Sequence, residues 1–262
     1  MAKKRLFVAV PSVGSIVDSQ TYALRKLEER YKDEIDFVYP EQCVRRVFHD
    51  FARNSLVDEF LDTDCDAIWF LDSDITPPRH TLDLVATHWD KWLAAGAPYP
   101  VFMTPPGYDY PQVVFTVYKG TSESGMHPSR IPNEGLEEVD GIATGCLFLK
   151  REVFEKLEKP YFEFKYKADS RTIVEGEDIG FCKKLNALGI KFLVDYSMVC
   201  GHHKAVDLLD VNNYAMWQAK TAVQAYDAQI RGQIEALAQK LSQREKPSSL
   251  ASVPQSTIWT PR

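Results

Sequence analysis

The sequence predicts an α/β fold: a doubly wound, mostly parallel central sheet flanked by helices, with one long helix after it. Three observations carry this. Residues 6–39 read as strand, loop, helix and strand, the opening unit of such a sheet. Residues 67–71, Ala-Ile-Trp-Phe-Leu, are apolar without alternation, as in a strand covered on both faces. From Val223 to Leu241, apolar residues recur at spacings of three and four.

The elements follow in order. Residues 6–10 are a buried strand ended by Pro11-Ser12-Val13-Gly14. Residues 21–31 have helical spacing through Tyr22, Leu24, Leu27 and Tyr31, and residues 35–39 form a strand stopped by Pro40. Residues 48–61 are an amphipathic helix with Phe51, Leu56, Val57 and Phe60 on its inner face. The strand at 67–71 runs directly into Asp72-Ser73-Asp74. Residues 81–95 have a helical pattern, with strands at 98–103 and 113–118. Residues 119–135 are rich in Gly, Ser, Pro and Asn, and read either as a lid over a site or as a plain solvated loop.

A strand at 146–149 precedes a helix at 151–157 that Pro160 ends. The helix at 179–188 closes on Gly189, whose missing Cβ suits a left-handed cap, and a strand at 190–194 follows. The helix at 214–241 presents Val223, Tyr226, Ile230, Ile234, Leu237 and Leu241 to its own domain or to a second copy of the chain, making a homo-oligomer. Beyond Pro247 the composition of Ser, Pro and Thr predicts a disordered tail.

Composition narrows the function. Of 262 residues, 45% are hydrophobic and 26% charged, which excludes a fibrous or disordered chain. The net charge of -6 disfavours a protein that grips nucleic acid by counterion release. Cys43, Cys65, Cys146, Cys182 and Cys200 are odd in number and hold no CxxC pair, which fits reduced, buried thiols in the cytoplasm. The start, Met1-Ala2-Lys3-Lys4-Arg5, imitates a signal peptide, but Pro11 and Gly14 interrupt the apolar run after it. No stretch approaches the ~20 apolar residues of a membrane span. The expectation is a soluble cytoplasmic protein.

Three short clusters carry the chemistry. Asp72-Ser73-Asp74 sits at the carboxyl end of the central strand, where parallel sheets bind ligands. Two carboxylates so spaced can face one ion, and Mg2+ or Mn2+ prefers such hard oxygens while leaving positions for phosphate. The triplet equally fits a solvated turn leading through Thr76 and Pro77 into a helix. Glu175-Gly176-Glu177-Asp178 precedes the helix at 179–188, where acidic residues cap the helix or act as a rigidly held general base. Cys200-Gly201-His202-His203 follows the strand at 190–194, and a neutral imidazole is a good third ligand for Mn2+.

Taken in order, Ala52-Arg53-Asn54, the strand into Asp72-Ser73-Asp74, Gly141-Ile142-Ala143-Thr144-Gly145-Cys146, Glu177-Asp178 and Gly201-His202 resemble a GT-A glycosyltransferase of the family 2 type. The resemblance covers about residues 5–204. It implies the GT-A (nucleotide-diphospho-sugar transferase) fold, with a Rossmann-like sheet and a catalytic domain over residues 1–204. That domain would have a nucleotide-binding half at about 1–104 and an acceptor half at about 105–204, with a helical extension at 205–246 and a tail at 247–262.

The implied reaction moves a sugar from a nucleotide-sugar donor, UDP favoured, to a hydroxyl with Mn2+ or Mg2+, inverting the anomeric centre with an Asp base or, as in related GT-A enzymes, retaining it. Val10, Pro11 and Ser12 would close on the base, and Arg53 and Asn54 would lie against the nucleoside. Asp72 would face the ribose or the metal, with Ser73 beside it on the donor. Asp74 would bind the metal, and His202 would complete its site. Gly141 and Gly145 would let the backbone pass close to sugar and acceptor. Asp178 would be the catalytic base, with Glu177 beside it and Glu175 and Cys146 on the acceptor side. The acceptor stays open among a glycan, a lipid-linked sugar, a protein and a modified nucleic-acid base.

Three rival readings stand beside this one. Asp72-Ser73-Asp74-Ile75-Thr76 matches the DxDxT loop of haloacid dehalogenase-type phosphatases, although that loop normally follows the first strand. A nucleotidyltransferase shares nucleotide recognition and carboxylate-bound metal. A non-catalytic nucleotide-sugar binding protein would bind the donor without turnover.

Overall fold

In the computed structural model the apolar run after Lys4-Arg5 becomes strand β1 (Lys4–Ala9), buried from Leu6 onward. The structure describes residues 3–11, 17–41, 48–103, 112–120, 126–128, 135–169, 171–205 and 208–244. The expected tail at 247–262, Ser12, Cys43 and most of the loop at 119–135 lie outside these residues. The chain divides into two compact units, Met1–Ala205 and Val206–Arg262.

In the first unit, β1 is followed by α1 (Asp18–Tyr31), β2 (Ile35–Val38), α2 (His49–Leu61), β3 (Ala67–Leu71), β4 (Ile75–Thr76) and β5 (Ala94–Gly96). After these come β6 (Leu136–Val139), β7 (Cys146–Lys150), α3 (Glu177–Ala187), β8 (Phe192–Asp195) and β9 (Gly201–His202). Seven strands form one sheet in the order β6-β8-β5-β7-β3-β1-β2.

The α/β class holds, but the sheet is mixed and not mostly parallel. β1 pairs parallel with β2 and β3, and β5 with β8. β7 runs antiparallel between β3 and β5, and β6 antiparallel on β8. A central strand is apolar on both faces whichever way it runs, so the sequence of β7 carried no sign of its direction. The reversal matters for the site: it sets the carboxyl end of β3 beside the amino end of β7, with Leu71 opposite Cys146.

Alternate residues of β3 feed two cores. Ile68 and Phe70 join Phe7, Phe60, Phe162 and Phe181 on the face covered by α2 and α3. Ala67, Trp69 and Leu71 join Leu6, Val8, Leu27 and Phe148 on the face covered by α1. Trp69 stacks on Phe148 across the strand pair, with ring centroids 5.1 Å apart and planes 13° apart.

Several element expectations change. The helix expected at 81–95 is instead a short helix (Asp83–Ala86), a 3-10 turn (Trp89–Lys91) and strand β5. The Trp92 indole N–H donates to the Leu84 carbonyl at 2.8 Å, folding this segment back on itself. Ala94-Ala95-Gly96 then fits the narrow slot between β7 and β8, where a Cβ on Gly96 would lie 2.6 Å from the Cys146 carbonyl oxygen. The sheet slot overrides the helical preference of alanine. The single strand expected at 113–118 breaks into Gln112–Phe115, paired with Pro100–Met103, and Val117–Lys119, paired with Gly141–Ile142, because the chain changes partner between them.

On α2, Ala52, Arg53, Leu56, Val57 and Phe60 face inward, whereas Phe51, expected in that set, is 62% exposed. The helix expected at 151–157 shortens to Arg151–Glu155, and the one at 179–188 starts earlier, at Glu177. Gly189 has φ +73°, the left-handed cap its position suggested. Cys65, Cys146, Cys182 and Cys200 are free and buried. Among the described residues the second unit is one helix, α4 (Leu208–Arg244), of 37 residues. Along it Val223, Tyr226, Ile234 and Leu237 are 60–64% exposed. No helix among the described residues is long and apolar enough to cross a membrane.

The packing yields a contrast. Trp69→Ala is expected to lower the unfolding free energy by about 3–5 kcal/mol. Phe51→Ala should change it by less than about 0.5 kcal/mol. Urea denaturation of the two variants measures the difference.

Candidate active site

The acidic triplet is held in a turn where β3 leaves the sheet. The Asp72 N–H donates to the Gly145 carbonyl at 3.0 Å, and the Ile75 N–H closes the turn onto the Asp72 carbonyl at 2.9 Å. From below, the buried Gln20 amide donates to the carbonyls of Ile75 at 2.8 Å and Asp72 at 2.5 Å. Beyond the turn, β4 pairs antiparallel with β9, setting Ile75 opposite His202 and Thr76 opposite Gly201. The His203 N–H extends this contact to the Asp74 carbonyl at 2.9 Å. A two-residue ladder therefore brings together chemistry from opposite ends of the unit.

His202 is oriented by the backbone. Its Nδ1 lies 2.7 Å from the Pro100 carbonyl oxygen. A carbonyl only accepts, so Nδ1 carries the proton, and in the neutral ring Nε2 presents a lone pair. That Nε2 faces Asp74 Oδ2 at 3.5 Å, and the ring packs edge-on against Tyr99 at 5.0 Å. A lone pair and a carboxylate oxygen facing each other call for a positive charge between them. Lys204 supplies one, with Nζ at 2.5 Å from the same Oδ2. Burial alone would raise the Asp74 pKa; a hydrogen bond from His202, made when its Nε2 also carries a proton, and one from Lys204 outweigh it and hold the carboxyl well below the usual range.

Asp72 is engaged elsewhere. Both of its oxygens accept from Arg53, at 3.1 Å from Nη1 and 3.2 Å from Nη2. The Arg53 side chain is 3% exposed and its Nε also lies 3.5 Å from Glu177 Oε1. One buried guanidinium thus joins the end of β3 to the start of α3. Burial works against its charge, but Asp72 and then Glu177 favour it more strongly and raise its pKa. Among the described residues, no group of three or more His, Cys, Asp or Glu side chains is arranged to hold a metal ion. Both Asp72 oxygens are thus taken by Arg53, while Asp74 and His202 face each other.

Asp178, in the first turn of α3, shares the cleft. Its Oδ1 accepts the Ile179 N–H at 2.7 Å. Burial, followed by the neighbouring Glu177, raises its pKa above the ordinary carboxylate value, and Arg53 opposes the shift. Pro11, Arg53, Asp72, Ser73, Asp74, Glu177, Asp178 and His202 all line one cleft of about 400 Å³, and the same walls include Tyr99, Thr144 and Lys204. Of these, Thr144 belongs to the Gly141–Cys146 motif, while the sequence alone assigns no role to Tyr99 or Lys204. A buried tyrosine has no motif, and only the proximity of Lys204 to Gly201-His202 hinted at it.

Other expected site residues serve the fold. The Asn54 amide N–H groups go to the carbonyls of Asp50 and Phe162, both at 2.8 Å, and its Oδ1 accepts the Tyr161 and Phe162 N–H groups. It pins the segment at 161–162 and has no side-chain group left for a nucleoside. Gly145 makes room for the Tyr99 ring, since a Cβ there would lie 2.7 Å from Cζ. Gly141 likewise faces Cys182, at 3.1 Å from Sγ. Cys146, placed with the acceptor, is wholly buried in β7, so an acceptor cannot reach it. Glu175 pairs with Lys165 at 2.6 Å and with Lys183, away from the residues that line the cleft.

No family model and no curated protein matches the sequence. Among solved structures, A197 from STIV is similar over 77% of this chain and 86% of that one, with 22% identity and a TM-score of 0.51. That likeness is one of fold. GalNAc-T7 with UDP, GalNAc and Mn2+ aligns over 78% of this chain and 44% of its own, at 13% identity and a TM-score of 0.45. The catalytic domain of Drosophila beta1,4galactosyltransferase 7 in complex with xylobiose aligns over 77% and 71%, at 14% identity and 0.38. Scores this low carry no argument about chemistry.

Two variants separate the roles of the charged groups. Arg53→Met strands Asp72 and Glu177 and should cost about 3–5 kcal/mol of stability. Asp178→Asn should stabilise by about 1 kcal/mol. With a raised native pKa, the folded state holds the Asp178 proton where the unfolded state has lost it, so stability falls as pH rises from the ordinary carboxylate value through the native one. The gain from Asp178→Asn should therefore be present at neutral pH and vanish in acid, as read from urea midpoints across pH.

Proposed function

We propose that the chain is a glycosyltransferase that moves a sugar from a nucleoside diphosphate donor, UDP foremost, to a hydroxyl acceptor with a divalent cation at Asp74 and His202. The observation that carries the proposal is the facing of His202 Nε2 and Asp74 Oδ2, 3.5 Å apart, in the cleft that also holds Asp178. The donor set fits the cation. One hard carboxylate oxygen and one imidazole with its tautomer fixed from behind suit Mn2+, and positions remain for phosphate oxygens. When bound, the cation supplies Lewis-acid stabilisation of the leaving diphosphate.

The protein's own residues do the rest. Arg53 shares its one positive charge between Asp72 and Glu177, and the cation at Asp74 and His202 would offset more of the cleft's negative charge for an anionic donor. Asp178 has Oδ1 fixed by the Ile179 N–H, which leaves Oδ2 to take the proton of the acceptor hydroxyl. A raised pKa makes it a better base than a free carboxylate. The acceptor oxygen then bonds to the anomeric carbon as the bond from that carbon to the diphosphate oxygen breaks. Attack opposite the leaving group inverts the centre.

The phosphatase reading needs Asp72 as a nucleophile. Both Asp72 oxygens on a buried arginine argue against it. A nucleotidyltransferase would release pyrophosphate from a nucleoside triphosphate, and a binding protein would release no nucleoside diphosphate.

The test is thermal unfolding with a panel of nucleotide sugars and Mn2+. At ligand ~100 times its dissociation constant, one donor should stabilise by about 2.7 kcal/mol. For a domain of this size that raises Tm by roughly 5–10 °C. Asp74→Ala should remove the shift. Asp178→Asn should keep the shift and lose nucleoside diphosphate release. Equal shifts in wild type and Asp74→Ala would refute the cation site.

A further inference from the structure

Among the described residues, the cleft is lined by more carboxylates than cations. Of those residues, Asp72, Asp74, Glu177 and Asp178 line it against Arg53 and Lys204, a formal excess of two negative charges. A doubly charged diphosphate entering such a cleft is repelled unless a cation precedes it.

The two resident cations differ in how firmly they are held. Arg53 is buried, makes two bonds to Asp72 and lies over the Phe70 ring at 5.7 Å. Its removal would strand two carboxylates. Lys204 is 59% exposed and makes one bond, to Asp74 Oδ2. A single-point pair at the surface is among the weaker ion pairs. The same Oδ2 is the oxygen that faces His202 Nε2. A divalent ion bound between those atoms and an ammonium on the same oxygen would repel each other, so they occupy the site in turn.

We propose that Lys204 is a removable counter-ion. Its ammonium holds the cation's place on Asp74, is displaced when the divalent ion binds, and is then delivered to the diphosphate of the incoming donor. Lysine suits this exchange, being a flexible point charge that binds phosphate without a fixed geometry. The consequence is an order of binding: cation first, nucleotide second. The inference rests on the cation site proposed above.

Mn2+ binding without nucleotide, followed by loss of the free-ion electron paramagnetic resonance signal, tests it in wild type, Lys204→Met, Lys204→Arg and Asp74→Ala. Lys204→Met should bind Mn2+ about tenfold more tightly than wild type, while Lys204→Arg gains nothing. With Mn2+ saturating, Lys204→Met should bind UDP about tenfold more weakly. Equal Mn2+ affinity in wild type and Lys204→Met, with Asp74→Ala binding none, would overturn the exchange and leave the cation site standing. Unchanged UDP affinity would overturn the delivery to phosphate. Absence of Mn2+ binding in every variant would overturn the exchange together with the cation site.

Discussion

A guanidinium buried in the wall of the cleft organises the charges around it. Arg53 closes on Asp72 with two bonds and reaches Glu177 at 3.5 Å, so two carboxylates from separate elements share one positive charge. Without that charge the end of β3 and the start of α3 would repel each other across a poorly solvated gap. With it, the carboxylates sort into roles. Asp72 and Glu177 are held on the guanidinium, whereas Asp74 and Asp178 make their contacts elsewhere in the cleft.

The second constraint is backbone geometry. The ladder of β4 with β9 spans two residues, yet it fixes His202 beside a turn more than a hundred residues earlier. The Pro100 carbonyl then selects which imidazole nitrogen meets Asp74. Gln20 supports the same turn from inside the protein. Such indirect support, from a carbonyl and a buried amide, fixes the imidazole ring and the turn that carries Asp74.

Parts of this were legible in the sequence. The unbroken apolar run of β3 marked a central strand, and its passage into Asp72-Ser73-Asp74 marked the cleft. The order of short motifs pointed to Asp74, Asp178 and His202 as residues that meet, and the cleft unites them. What escaped depends on three-dimensional neighbours. Strand direction leaves no trace in a run buried on both faces, so β7 gave no hint that it runs against β3. Ala94-Ala95-Gly96 reads as helix until the slot beside Cys146 admits only small residues. Arg53 and Asn54 form one motif, yet their side chains diverge. Arg53 enters the cleft while Asn54 spends its amide on the segment at 161–162. The partner of Asp72 and the orientation of His202 come from packing, which spacing does not encode.

The central claim is that an imidazole and a carboxylate share one divalent cation. Electron spin-echo envelope modulation of the protein with Mn2+ and UDP measures this directly. The account predicts a 14N coupling from one imidazole that becomes a 15N coupling with labelled histidine and disappears in His202→Gln. Bound Mn2+ without any nitrogen coupling, or with a coupling that survives His202→Gln, would contradict it.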